Sequence, residues 1–70
     1  MPNLEIAMPN RLPNEVVAAI KCARSRGYKY EVIASYYVIN QGRIADVVKG
    51  RIGPHIAPAD DLPPDFPGPL

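Results

Sequence analysis

Large apolar residues alternate with Glu5 and Ala7 from Leu4 to Met8, a two-residue period compatible with one short strand. After Asn14 the spacing lengthens, and Val16, Ala19, Ile20 and Ala23 recur at i, i+3, i+4 and i+7, marking one face of a helix that runs to about Arg26. Asn14 is expected to cap this helix and Gly27 to stop it. Lys21, Arg24 and Arg26 lie toward its end, where positive charge complements the helix dipole. Cys22 projects about 120° from the apolar centre, at about 100° per residue, and reads as a bystander rather than a redox residue.

Two shorter helical patterns follow. Tyr30 to Tyr37 turns Ile33, Ala34 and Tyr37 inward, but Lys29 stands where a Ser or Thr would normally cap its start. Asn40 is a good cap for a third helix through about Lys49, with Ile44, Val47 and Val48 as the buried stripe and Gly42, Arg43, Asp46 and Lys49 outward. Gly50, Gly53 and Pro54 end it.

Proline usage divides the chain. The nine prolines fall within residues 2–13 and 54–69, so three regions are expected: an arm over 1–13, a folded part over 14–53 and a proline-rich acidic tail over 54–70. The arm contains Pro-Asn three times and favours turns or extended backbone. A single strand there is not stable alone, so it would pair with a second copy of the chain or pack on the helices. The tail is expected to be extended or disordered, with Ile56, Leu62 and Phe66 as its only means of docking on the helices before the terminal Leu70. Leu62 to Pro67 would otherwise suit the groove of a partner that binds proline-rich segments.

Charge sharpens this division. Net charge is only +1, yet all eight basic residues lie between Arg11 and Arg51 with three acids among them, while the tail carries only Asp60, Asp61 and Asp65. A basic centre suits an anionic partner. One cysteine forms no internal disulfide and one histidine, His55, builds no metal cluster, so no staple, cofactor or small-molecule substrate is expected, and no enzyme. With no signal peptide or membrane-length apolar run, a cytoplasmic location is the default expectation.

The chemistry of interest lies in the spacing between the second and third helices. Ile33-Ala34, four residues to Val38, then Ile39-Asn40, four residues to Ile44 and three more to Val47 place each buried group where two crossing helices need it. Ala34 must be small at such a crossing. The segment Lys29 to Gly50 resembles the helix-turn-helix of homeodomain-like and resolvase-like bacterial or phage regulators. Their common pattern is helix, small Ala, tight turn, capping residue and recognition helix. The resemblance implies an all-α, three-helix helix-turn-helix domain. It also implies a small transcriptional regulator that reads double-stranded DNA in the major groove with residues 40–49, usually as a homodimer on two half-sites.

By that resemblance Asn40, Gln41, Gly42, Arg43, Ala45, Asp46 and Lys49 form the reading surface, joined by Arg51. Gln41 can pair with adenine edges, Arg43 with guanine or phosphate, and Ala45 with a thymine methyl, while Lys49 or Arg51 can hold phosphate. Gly42 would let the backbone approach DNA closely. Asp46 dissents, since a carboxylate facing phosphates is unfavourable unless it accepts from a cytosine amine or pairs with Arg43 or Lys49; the ion pair is favoured. Tyr28, Tyr30 and Tyr36 could reach the backbone through their hydroxyls, although half-buried packing is the commoner use of tyrosine. The arm from Pro2 to Met8 is the expected dimer contact, and Arg11 could enter a minor groove.

The chain departs from the pattern at Lys29, which lacks a capping side chain, and at Val38, where the turn usually has glycine at positive φ. A β-branched residue there predicts a reshaped turn or a longer second helix. The competing functional expectation is a protein-binding adaptor, of antitoxin or anti-repressor type, that uses the third helix or the tail.

Overall fold

The structure, a computed structural model, describes residues 12–68. Three helices form and no strand among the described residues: α1 (Asn14–Ser25), α2 (Tyr30–Tyr37) and α3 (Gln41–Val48). The fold is all-α. The expected strand and dimer contact at Pro2 to Met8, and Arg11, lie outside the described residues.

One apolar core joins the helices. Val17, Ile20 and Ala23 of α1 meet Ile33 and Ala34 of α2, Ile44 and Val47 of α3, and Tyr28 of the first connection. Fully burying each large aliphatic side chain stabilises the fold by about 1.5–3 kcal/mol, and these residues are the main reason three short helices hold together.

Each helix ends on a left-handed residue that sends the chain back across the core. After α1, Gly27 (φ +92) donates its amide to the Arg24 carbonyl at 3.0 Å, and Tyr28 donates to Ala23 at 3.1 Å. After α3, Gly50 (φ +84) donates to Val47 at 3.2 Å and Arg51 to Asp46 at 2.8 Å. These paired bonds satisfy carbonyls that a helix end would otherwise leave open.

The start of α1 differs from expectation. Pro13 occupies the capping position with φ −57 and ψ 149, and its carbonyl accepts from Val16 and Val17 at 3.0 and 3.1 Å. Asn14 is the first helical residue, and no side chain caps α1. The buried face also shifts: Val17 and Cys22 are buried beside Ala19, Ile20 and Ala23, and Val16 only partly. Periodicity places Cys22 off the face because it assumes one packing direction, whereas α1 is covered from two.

The second cover is the C-terminal segment, which is ordered and docked rather than free. Gly53 (φ +56) starts it, and a Cβ there would lie 2.7 Å from Ile56 Cδ1 and 3.0 Å from Val17 Cγ1. Lys21 Nζ donates to the Gly53 and Ile56 carbonyls at 2.7 and 2.6 Å, and the Ala59 amide donates to the Ala18 carbonyl at 2.9 Å. Leu62 and Phe66 then pack on the core. Phe66 sits edge-on to Tyr28 at 5.0 Å and tilted against Tyr36 at 4.5 Å, and Tyr28 Oη donates to the Pro67 carbonyl at 2.7 Å. Prolines forbid a helix here, but they also reduce the freedom of the unfolded segment, so fixing it as an extended strap costs less entropy. Among the described residues no helix is long and apolar enough to cross a membrane.

Candidate nucleic-acid interface

α2 and α3 are joined by the three residues Val38, Ile39 and Asn40. Ala34 lies buried near the end of α2 and Ile39 packs against the core, so the turn is anchored from both sides. Val38 takes the left-handed conformation itself, with φ 56 and ψ 48. Its amide donates to Ser35 at 3.3 Å and that of Ile39 to Ala34 at 3.0 Å, the same paired closure that Gly27 and Gly50 make. The expected reshaping or lengthening of α2 therefore does not occur. The anchors on either side fix the path, and the β-branched residue accepts a conformation that costs about 1–2 kcal/mol. The Val38 side chain is 87% exposed and recovers none of this by packing.

Asn40 caps α3 as expected, its Oδ1 accepting from the Gly42 amide at 2.6 Å. A Cβ on Gly42 would stand 2.9 Å from that oxygen. The missing side chain at 42 thus serves the cap, which accounts for the glycine without any outside partner. Lys29 opens α2 without a side-chain cap, in line with its chemistry.

The residues of the expected reading surface distribute along α3 as follows. Asn40, Gln41, Gly42 and Lys49 are exposed, Arg43, Ala45 and Asp46 are half-buried, and Arg51 lies exposed just beyond the helix. Ile44 and Val47, at 0% and 1% exposure, pin the opposite side. Val48, expected in the buried stripe, is 40% exposed, because α3 ends there and offers only one full inward row. Asp46 pairs with Arg43 Nη1 at 3.6 Å and with Arg51 Nη1 at 3.2 Å. Lys49 is not its partner. The chain reversal at Gly50 brings Arg51 back over the helix, an encounter that helical spacing does not foresee.

Partners within the chain decide which charges remain available. Lys21 is held by two strap carbonyls, and Arg24 by the Tyr28 carbonyl at 2.5 Å and by the face of Tyr30, 4.7 Å from its centroid. Arg26 reaches Asp61 at 3.2 Å and the Asp60 carbonyl at 3.0 Å. The Asp61 carboxyl is held below the usual carboxylate range, first by the Leu62 amide and then by Arg26. Lys29 and Lys49 are exposed and make no ion pair among the described residues. Spacing marks Lys29 only as a poor cap; its exposure and its lack of an ion pair are set by the fold.

Of the three tyrosines considered for backbone contact, Tyr28 and Tyr36 have their hydroxyls engaged within the chain, and Tyr30 has only its ring face engaged. Tyr28 binds the strap, Tyr30 carries Arg24, and Tyr36 Oη donates to Asp65 at 2.6 Å. That bond, with burial and the Asp65 charge, pushes the Tyr36 phenol up to about 12.

No family model, curated protein or solved structure matches the chain.

One short helix is pinned from behind, capped at its start, and presents a polar edge with a shared ion cluster at its middle. Asn40, Gly42, Arg43 and Asp46 line a shallow polar recess on that edge. The acidic strap makes no hydrogen bond or ion pair with Asn40 to Lys49 among the described residues. No group of three or more His, Cys, Asp or Glu converges anywhere among them.

Proposed function

We propose that the chain is a small DNA-binding protein of helix-turn-helix type, a transcriptional regulator that lays α3 in the major groove. The observation that carries this reading is the accessibility of the α3 edge. Asn40, Gln41, Gly42 and Lys49 are exposed on a helix whose inner side is anchored, while the acidic segment is docked elsewhere. A helix so mounted has the dimensions a major groove admits, and its capped N-terminus favours nearby phosphate. Gln41 and Arg43 can address base edges, and Lys49 suits phosphate. One short helix offers little contact area, so a homodimer on paired half-sites accompanies the reading.

A labelled random duplex titrated by fluorescence anisotropy at low and moderate salt tests it. Binding should weaken steeply as salt rises. Lys49→Ala should lower affinity for every sequence and flatten the salt slope by about one unit, whereas Arg43→Ala should cost about 1–3 kcal/mol at a preferred site and relax one position. No binding at protein concentrations above about 100 μM would reject the reading in favour of a protein-binding adaptor. For such an adaptor α3 is the more open surface, because Leu62 and Phe66 of the proline-rich segment pack against the core.

A further inference from the structure

We propose that Asp46 is the specificity-determining residue of the α3 face. It acts as a positioning carboxylate that holds Arg43 for base contact and restrains both arginines from binding phosphate indiscriminately. The inference rests on the DNA-binding reading and deepens it.

The geometry begins with one carboxylate and two guanidinium groups. Asp46 Oδ2 stands 3.6 Å from Arg43 Nη1 and Asp46 Oδ1 3.2 Å from Arg51 Nη1, so each oxygen faces a different cation. The second pair depends on the backbone. The Asp46 carbonyl accepts from the amides of Arg51 and Ile52 at 2.8 and 3.2 Å, after left-handed Gly50 has turned the chain back. Asp46 is therefore joined to Arg51 through both its main chain and its side chain, and reaches Arg43 one turn earlier on the same helix.

Two consequences follow from this placement. An unrestrained arginine samples many rotamers, while Arg43, drawn to Asp46 by an ion pair at 3.6 Å that uses up no N–H in a hydrogen bond, keeps its donors for a second partner and has less freedom to lose on binding. Arg43 and Asp46 are both about three-quarters covered, which strengthens the tether relative to an open surface pair. The carboxylate also places one negative charge between two positive ones on the edge that would face DNA. Sequence-indifferent affinity grows with the number of phosphates neutralised, so this charge weakens binding to every duplex alike. Contacts that Arg43 makes to a base edge survive only at the right sequence. A residue that lowers all affinities while pre-orienting one base contact raises the ratio between right and wrong sites.

The test compares Asp46→Asn and Asp46→Glu with the unaltered protein on two duplexes: the best site selected from a random pool, and random sequence. Asp46→Asn should bind the random duplex several-fold tighter, with a steeper salt slope, and should lose about tenfold in the preferred-to-random ratio. Asp46→Glu, which keeps the charge, should recover part of that ratio. A ratio within about twofold of the unaltered protein overturns the proposal, and so does a loss confined to one cytosine-bearing position, which would make Asp46 a direct reader. A second measurement needs no DNA. The Arg43 Nε–Hε relaxation in the free protein should report an ordered guanidinium that becomes mobile in Asp46→Asn. Equal mobility in both proteins overturns the tether even if DNA binding holds. An ordered Arg43 in a protein that binds neither duplex rejects the DNA reading instead, and the specificity role with it.

Discussion

Along α1 and the outer side of α2, the strap from Gly53 to Pro67 closes the surface: Ile56, Leu62 and Phe66 pack inward, and Lys21, Arg26, Tyr28 and Tyr36 bind its carbonyls or carboxylates. Along α3, Asn40, Gln41 and Lys49 face outward, and the turn that precedes them holds an exposed valine in a left-handed conformation. The same core supports both flanks, yet on one the strap binds Lys21, Arg26, Tyr28 and Tyr36, while the other leaves Gln41 and Lys49 without a side-chain partner among the described residues and holds a strained residue. A chain of seventy residues has little core to spare, so such a division means that the strap supplies stability the three helices lack. The free donors and the strained residue thus lie on the flank that the strap leaves open, which is the flank the DNA-binding proposal uses.

The closed flank should be the costly one to damage. Phe66 touches the rings of Tyr28, Tyr36 and Tyr37 at centroid distances of 5.0, 4.5 and 6.2 Å. Phe66→Ala should destabilise the protein by about 2–3 kcal/mol, below the full cost of a buried aromatic because the ring is only partly covered. Urea unfolding read by far-ultraviolet circular dichroism measures this. A change under about 0.5 kcal/mol, the range of ordinary surface substitutions, would mean that the strap is not part of the cooperative fold.

How far this division was legible in the sequence depends on the range of the interaction that produces it. α2 runs from Tyr30 to Tyr37 as its periodicity indicates, and the Asn40 cap follows from a side chain and an amide two residues apart. Those are local signals. The burial of Cys22, the second partner of Asp46 and the docking of the strap are set by residues remote in sequence or brought near by a chain reversal. No periodicity within one helix encodes them. Proline content pointed away from regular structure in the tail, correctly, but absence of a helix does not mean absence of order when Leu62 and Phe66 find a core. At Val38 the local preference was read correctly and was overruled by packing on both sides of the turn. The candidate site was legible as a set of residues on one helix, and its ion cluster only in part.

On the open flank the same logic reverses the sign of a substitution. Gly27 and Val38 end α1 and α2 with equivalent bonds, but only Gly27 adopts its left-handed φ at no steric cost. Val38→Gly removes about 1–2 kcal/mol of strain and no packing, at a cost of about 0.5–1 kcal/mol in unfolded-state entropy. A net gain of about 0.5–1 kcal/mol is expected, whereas Gly27→Val should lose about 1–2 kcal/mol. Shifts in the urea midpoint at unchanged slope measure both. Destabilisation by Val38→Gly would show that the valine side chain makes contacts in solution, and would erase the contrast between the flanks.

The smallest effect concerns the polar link between Tyr36 and the strap. Tyr36 Oη donates to Asp65, and that bond is the leading reason that its phenol is raised from 10.0 to about 12. Tyr37 is raised in the same direction, first by burial and then by the Asp65 charge. A raised folded-state value favours the protonated form in the native protein, so the associated stability is complete below pH 10. It is lost as pH climbs toward 12, because the unfolded chain releases its proton first. Denaturant midpoints measured across that interval should therefore fall, and Tyr36→Phe, which keeps the ring against Phe66 but removes the titrating group, should flatten the fall. Phenolate absorbance should show one fewer late-titrating tyrosine in the variant. An unchanged pH slope in Tyr36→Phe would mean that Asp65 does not hold the strap through this hydroxyl, leaving the aromatic contacts of Phe66 and the Tyr28 bond to the Pro67 carbonyl as the attachments at that end.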